Sequence, residues 1–291
     1  GPPRRLTYPF EPNAACKALE TPEKIPLPNM APVFLPDLRL NADVTGPANG
    51  PALVLIHALG TSAAIWDDLI PLLPPTLRVL RFDLRGHGAS DVPLAPYTMG
   101  ALIRDTERLM DHFALKEAVI LGLSIGGLIA QGLAVKRLDL IRAMILSNTA
   151  AKIGRPEQWQ DRIAAIRAGG MDALHDATME RWLGRTWRTN PAMPALRHRF
   201  VTTDPEGWCG CAAAIAGTDF YETTATLTLP TLAIAGANDG STPPDLIRET
   251  ADLIKGHRFA LIRGAGHIPP VEKPAEYATL ITQFLGDIAH V

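Results

Sequence analysis

The sequence has little with which to grip a polyanion, staple a small fold or cross a bilayer. Lys and Arg total 28 against 30 Asp and Glu, a net charge of −2, so the basic surface that carries nucleic-acid affinity is missing. Three cysteines, Cys16, Cys209 and Cys211, can close at most one bridge, and no Cys/His array has zinc-ligand spacing. A reducing compartment, the cytoplasm, is expected. No phosphate loop or dinucleotide fingerprint occurs, so no cofactor and no metal is implied. The longest uncharged run, Ala118 to Val135, approaches the roughly 18 apolar residues of a membrane span. It is interrupted by Gly122, Ser124, Gly126, Gly127, Gln131 and Gly132 and bracketed by Glu117 and Lys136. A strand running through a glycine-rich turn into a buried helix accounts for it without lipid. Residues 1–29 lack the continuous apolar stretch of a signal peptide. The expected partner is a small molecule, not a nucleic acid or a membrane.

What is present is apolar residues, 47% of a chain of 291, enough for one large domain or two small ones. Residues 1–29 carry seven of the 26 prolines and no apolar period, which predicts an irregular extension. Gly1-Pro2 reads as a processing scar and Met30-Ala31 as a native start. From Pro32 onward short apolar runs bounded by Gly, Pro and Asn predict strands at 33–35, 38–44 and 52–56. A helix at 63–73, a strand at 78–82, a helix at 99–113, a strand at 118–121, a helix at 126–135 and a strand at 142–147 follow. That alternation predicts an α/β fold with parallel strands and helices on both faces.

The alternation breaks across 152–226, where helical patterns at 156–168, 171–183, 192–203 and 205–215 succeed one another with no strand between them. It resumes with a strand at 231–235, a helix at 244–254, a strand at 258–262 and a helix at 275–288. The expected organisation is therefore a core of residues 30–151 and 227–291, interrupted by a helical cap at 152–226 over the carboxyl edge of the sheet, where such sheets place their ligands. Four of the five tryptophans, Trp159, Trp182, Trp187 and Trp208, fall in that insertion and are expected to pack its helices onto the core.

Gly122-Leu123-Ser124-Ile125-Gly126 fits G-x-S-x-G between a buried strand and a helix, the setting of a nucleophile elbow. A serine hydroxyl needs a base with a pKa near neutrality, which means histidine. Of eight histidines, His267 follows the strand 258–262 in a loop of small residues. His112, His175 and His198 lie in predicted helices, and His257 and His290 sit beside a strand start and at the terminus. Asp239 follows the strand 231–235 and completes the chain order Ser, Asp, His. Asp83, in the run Asp83 to Ser90, is the competing acid, but that run reads better as a turn anchored by Asp83 and Arg85. The oxyanion donors are expected to be the backbone N–H of Ile125 and that of Leu59, in the loop His57-Ala58-Leu59-Gly60. His57 is expected to brace that loop.

With these residues assembled, the chain from about Met30 resembles the α/β-hydrolases and, more narrowly, the 3-oxoadipate enol-lactonases. The broad resemblance rests on the segments 57–60, 83–90, 122–127, 236–239 and 264–267. The narrow one rests on Leu59-Gly60-Thr61, the run Asn148 to Gly154, Trp159, Arg162-Ile163, the run Ala168 to Met171, and the run Cys211 to Ile215. The resemblance implies a small anionic lactone as substrate, opened through an acyl-enzyme. A carboxylesterase or another lactonase is the alternative, and a hydrolase-fold ligand receptor a more distant one. Ala216-Gly217 stands where family members often carry Arg-Asp, so another cation is expected to meet the substrate carboxylate. Lys152, Arg155 and Arg162 are the candidates by position.

Overall fold

A computed structural model describes residues 29–291; the irregular extension expected over 1–29 lies, except for its last residue, outside the described residues. Eight strands form one sheet in the order β1-β2-β4-β3-β5-β6-β7-β8. They are β1 Ala31–Phe34, β2 Arg39–Thr45, β3 Ala52–Ile56, β4 Arg78–Phe82, β5 Ala118–Leu123, β6 Ile141–Ser147, β7 Thr231–Gly236 and β8 Arg258–Ile262. From β4 through β8 every neighbouring pair is parallel, whereas β2 runs against both β1 and β4. The reversal follows from length: the turn at Leu35 to Leu38 closes a hairpin and leaves no room for a crossover.

Strands β3, β5 and β7 are buried at every position, as expected of central parallel strands covered on both faces. The helices are α1 Met99–His112, α2 Ile125–Lys136, α3 Pro156–Gly169, α4 His175–Leu183, α5 Met193–Val201, α6 Pro205–Ala216, α7 Tyr221–Thr224, α8 Pro244–Asp252, α9 Pro269–Glu272 and α10 Pro274–Asp287. Helix α1 buries Leu102, Ile103, Thr106, Leu109 and Met110, a stripe at helical spacing, and the Thr98 side chain caps its start by accepting from Ala101 N–H. Helix α2 is buried on nearly all sides.

Two expectations change. The helix predicted at 63–73 is a pair of 3₁₀ turns, Ala63–Trp66 and Ile70–Leu72, because Pro71, Pro74 and Pro75 cannot continue an α-helical ladder. The helix predicted at 171–183 opens with a 3₁₀ turn at Met171–Leu174 before α4 begins. Helices α3 to α6 occur in sequence between β6 and β7. Their side chains Trp159, Trp182, Phe200 and Trp208 share one cavity with Leu59, Ser124 and His267 from the carboxyl ends of β3, β5 and β8. All four tryptophans of this segment are buried. No described helix is long and apolar enough to cross a membrane.

Candidate active site

Ser124 sits between β5 and α2 with φ 58° and ψ −116°. That left-handed region is one a residue with a Cβ seldom adopts, at a cost on the order of 1–3 kcal/mol. Neighbours over-determine it. Ser124 N–H donates to the Ser147 carbonyl at 3.0 Å, and its own carbonyl accepts from Thr149 Oγ1 at 2.6 Å. The flanking glycines are needed for close approach: a Cβ on Gly122 would lie 2.0 Å from the Gly126 carbonyl oxygen, and one on Gly126 would lie 2.3 Å from that of Ile56. Ser124 occupies the N-cap position of α2, yet its hydroxyl makes no capping hydrogen bond. The hydroxyl is thereby left to the cavity, and although Gly127 N–H is spent on the Ser124 carbonyl at 2.9 Å, the Ile125 amide keeps its donor at the positive end of the helix dipole.

His267 Nδ1 lies 2.8 Å from Asp239 Oδ2. The carboxylate accepts from four further donors: Ser241 N–H at 2.8 Å and Thr242 N–H at 3.1 Å on Oδ1, Thr242 Oγ1 at 2.8 Å and Asn148 Nδ2 at 3.1 Å on Oδ2. Burial pushes the Asp239 carboxyl up, but the His267 charge and the hydrogen bonds from His267 and Thr242 outweigh it and hold the group below the ordinary Asp value. An ionised acceptor at Oδ2 fixes the proton of neutral His267 on Nδ1 and leaves the Nε2 lone pair free for a substrate-side proton. No hydrogen bond joins Ser124 Oγ to His267 among the described residues; both line the cavity. Asp83 does not compete for this role. It accepts from Ala63 N–H, Ala89 N–H and Asn41 Nδ2 at 2.9 to 3.0 Å, and Arg85 beside it pairs with Asp105 at 2.6 Å, the turn-anchoring role expected of both.

The His267 loop is braced from two directions. Glu272 accepts from Gly266 N–H at 2.8 Å and Ile268 N–H at 2.9 Å, and burial raises its carboxyl pKa. From the helical segment, the Trp182 carbonyl accepts from His267 N–H at 2.8 Å and the Arg181 carbonyl from Gly240 N–H at 2.8 Å. The last carbonyls of α4, orphaned by the end of the helix, are thus satisfied by the loops that carry His267 and Asp239. The Trp182 ring lies 5.9 Å from the His267 ring, centroid to centroid.

Leu59 lines the cavity, and neither its N–H nor that of Ile125 has a hydrogen-bond partner among the described residues. Two buried histidines hold this loop in place. His57 Nε2 accepts from Leu84 N–H at 2.9 Å, and His87 Nε2 accepts from Gly60 N–H at 3.0 Å, so each of two neighbouring loops supplies an imidazole to the backbone of the other. Accepting at Nε2 requires the neutral ring. Burial enforces it, lowering the pKa of His57 and taking that of His87 down to about 3.

The cavity, of roughly 190 Å³, is lined by apolar and aromatic side chains together with Ser124, His267, Thr178, Ser241, Arg162 and Arg181, and by the exposed Gly154 and Gln158. Of the three candidate cations only Arg162 is among the lining residues. Lys152 and Arg155 are not, and Arg155 is fully on the outside at the start of α3. Sequence reasoning missed Arg181, Asn148, Thr242 and Glu272. Asn148 directly follows β6 and Thr242 lies three residues after Asp239, so position after a strand end was the available signal for both.

A family profile described as alpha/beta hydrolase fold matches residues 51–274. The 3-oxoadipate enol-lactonase 2 of Acinetobacter baylyi is 32% identical over 245 residues, covering 83% of this chain and 91% of the relative. A pimeloyl-[acyl-carrier protein] methyl ester esterase of Yersinia pseudotuberculosis is 28% identical, over 80% of this chain and 92% of the relative. Among solved structures, the enol-lactonase from Burkholderia xenovorans LB400 superposes with a TM-score of 0.84 at 35% identity, covering 88% of this chain and 100% of that one. The sheet order, the turn at Ser124 and these likenesses make the chain a member of the α/β-hydrolase family, similar over most of its length to 3-oxoadipate enol-lactonases.

Proposed function

We propose that the protein is a serine hydrolase that opens 3-oxoadipate enol-lactone to 3-oxoadipate, a step in the breakdown of aromatic compounds. The observation that carries this reading is the placement of Ser124, on its strained turn, in one small cavity with His267, whose other nitrogen is held by Asp239. The likeness to enol-lactonases supplies the substrate. In this reading residues 152–226 act as the cap over a core of 30–151 and 227–291, and the reaction runs in the cytoplasm.

The Ser124 hydroxyl oxygen attacks the lactone carbonyl while His267 Nε2 takes its proton. The carbonyl oxygen, now an oxyanion, is held by the N–H groups of Leu59 and Ile125, and preorganised donors of this kind are worth about 3–4 kcal/mol each. Collapse breaks the ring C–O bond. The departing enol oxygen takes the proton from His267 and the enol becomes a ketone, still tethered to Ser124 as an ester. Water then gives its proton to His267, adds to that ester and releases the acid, returning the proton to Ser124. Acyl transfer of this kind asks for no cofactor, and the leaving enol delocalises charge toward carbon, which makes it a better leaving group than an alkoxide.

Ser124→Ala is expected to lower turnover of enzymatically generated enol-lactone by at least about three orders of magnitude with the fold intact by circular dichroism; wild-type turnover in that variant would defeat the mechanism. The similarity to a methyl ester esterase favours a second reading, a broader carboxylesterase. Higher kcat/KM on neutral p-nitrophenyl esters than on the anionic lactone would select it.

A further inference from the structure

The turn that ends β6 touches the loops of Ser124, Asp239 and His267 at once. The Ser147 carbonyl accepts from Ser124 N–H at 3.0 Å, Thr149 Oγ1 donates to the Ser124 carbonyl at 2.6 Å, and Asn148 between them reaches the other two loops. Asn148 is fully buried, with φ 48°, a left-handed conformation that asparagine tolerates better than most residues with a Cβ. Its main-chain N–H donates to the Ile234 carbonyl of β7 at 2.9 Å, which fixes the residue to the sheet. Its Nδ2 donates to Asp239 Oδ2 at 3.1 Å and to the Gly266 carbonyl at 3.0 Å, and its Oδ1 accepts from Ser147 Oγ at 2.6 Å. A carboxylate oxygen and a carbonyl are acceptors only, so they dictate which end of the amide faces them.

Main-chain pairing already joins the Asp239 and His267 loops just upstream, where Asn238 N–H donates to the Ala265 carbonyl at 2.9 Å. That pairing reaches neither the Asp239 carboxylate nor the Gly266–His267 peptide. The Ser241 and Thr242 amides and the Thr242 hydroxyl that hold the carboxylate belong to its own loop, so they fix it relative to that loop alone. Asn148 ties it to β6, whose end also holds Ser124. The Gly266–His267 peptide is gripped at both its polar ends: the carbonyl by Asn148, and the N–H, that of His267, by the Trp182 carbonyl at 2.8 Å. A planar peptide held in this way cannot turn, and the imidazole carried by it is aimed accordingly.

We propose that Asn148 is a positioning residue of the Ser124 site: it holds the Asp239 carboxylate and the His267 backbone at a fixed separation, so that Nδ1 stays on Oδ2 while Nε2 exchanges a proton on the substrate side. Its effect on rate rests on the hydrolase reading above; its effect on the Asp239–His267 hydrogen bond does not. Asn148 does not line the cavity, so it acts through the pair and touches no substrate. The neutral amide matters as much as its shape. Asn148→Asp would set a second carboxyl against Asp239 Oδ2 and the Gly266 carbonyl, two acceptors that an amide satisfies and a carboxylate repels.

The test uses the full chain and two substrates, the enzymatically generated enol-lactone and p-nitrophenyl acetate. Asn148→Asp keeps the side-chain shape and removes both N–H donors; Asn148→Gly removes the side chain and suits the positive φ. In each, kcat is expected to fall by about 10- to 100-fold, the loss that a misplacement of about 1 Å can bring, with KM within twofold of the parent on both substrates. The second readout is the far-downfield resonance of the His267 Nδ1 proton in the proton NMR spectrum, expected to move or broaden in both variants. Ser147→Ala removes only the hydroxyl on Asn148 Oδ1 and should give the same pattern to a smaller degree; if neither Asn148 variant folds, it decides the matter by the same criteria. In a folded variant, parental kcat, an unmoved resonance or a loss confined to KM would overturn the role and leave the hydrolase reading standing. If the parent cleaves neither substrate, the hydrolase reading falls and the resonance decides alone: moved, Asn148 positions the pair; unmoved, it does not.

Discussion

Asp239 is surrounded by donors alone. Ser241 and Thr242 amides, the Thr242 hydroxyl, the Asn148 amide and His267 Nδ1 all point hydrogens at it, an environment that suits a carboxylate and no neutral isostere. Asp239→Asn places an NH₂ group against at least one of those donors and removes the charge that fixes the His267 tautomer. The expected result is a fall in kcat of roughly 10³- to 10⁴-fold, read by steady-state kinetics, with KM little changed. A loss confined to KM would mean that Asp239 serves binding and not the base. The meeting of Ser124, Asp239 and His267 at one cavity edge was legible in the sequence because each lies within five residues of the end of a parallel strand in a loop of small residues, so local pattern alone puts all three at one edge. Asn148 and Thr242 also follow strand ends, but an amide or a hydroxyl there has no chemistry that singles it out, and Glu272 lacks even that position; their roles are hydrogen bonds to partners 91, 3 and 6 residues away.

At the scale of elements, the end of α4 is joined to the His267 and Asp239 loops by main-chain hydrogen bonds, and one glycine permits it. A Cβ at Gly266 would come within 1.8 Å of the Trp182 carbonyl oxygen, a distance no packing adjustment of a side chain can relieve because the obstacle is main chain. Gly266→Ala is therefore expected to part α4 from the His267 loop, lowering stability by about 2 kcal/mol and kcat by tenfold or more; urea melts and initial rates report the two. Unaltered kcat in a folded variant would show that the tether is dispensable. Glu272→Gln keeps an acceptor for one of the Gly266 and Ile268 amides and sets its NH₂ against the other, so it should cost less than Glu272→Ala, which strands both amides at about 1–3 kcal/mol each. Strand and helix order was readable from periodicity almost throughout. The exception at 63–73 was a helix-like apolar spacing overridden by Pro71, Pro74 and Pro75, where backbone chemistry outranks side-chain pattern.

For the whole molecule, acid sensitivity follows from histidines held neutral. Burial lowers the pKa of His57, His87 and His290 below the ordinary 6.5, so below that pH the unfolded chain takes up protons that the folded chain refuses. Stability therefore rises with pH up to about 6.5 and falls beneath it, by at most about 1.4 kcal/mol per pH unit for a fully buried histidine such as His87. Asp239, with its pKa lowered, adds stability that is present above about 3.8 and lost as pH falls through its folded value. The raised carboxyls of Asp43, Asp67 and Glu272 oppose the trend lower down. Thermal melts between pH 7 and 5 should show a declining Tm, and a flat profile would contradict neutral acceptor roles for His57 and His87.

The hydrogen bonds from Gly240 and His267 to the final carbonyls of α4 also bear on how a substrate reaches the serine. Lifting the helical segment off the sheet as a rigid flap would break both, exposing two unsatisfied carbonyls and releasing the His267 and Asp239 loops together. Traffic that leaves the Asp239–His267 pair intact has to pass elsewhere around the rim. Gly154, Gln158 and Gly240 are the exposed residues of the cavity lining; Gly240 belongs to the anchor, so the side at Gly154 and Gln158 is the one a substrate can use with both hydrogen bonds kept.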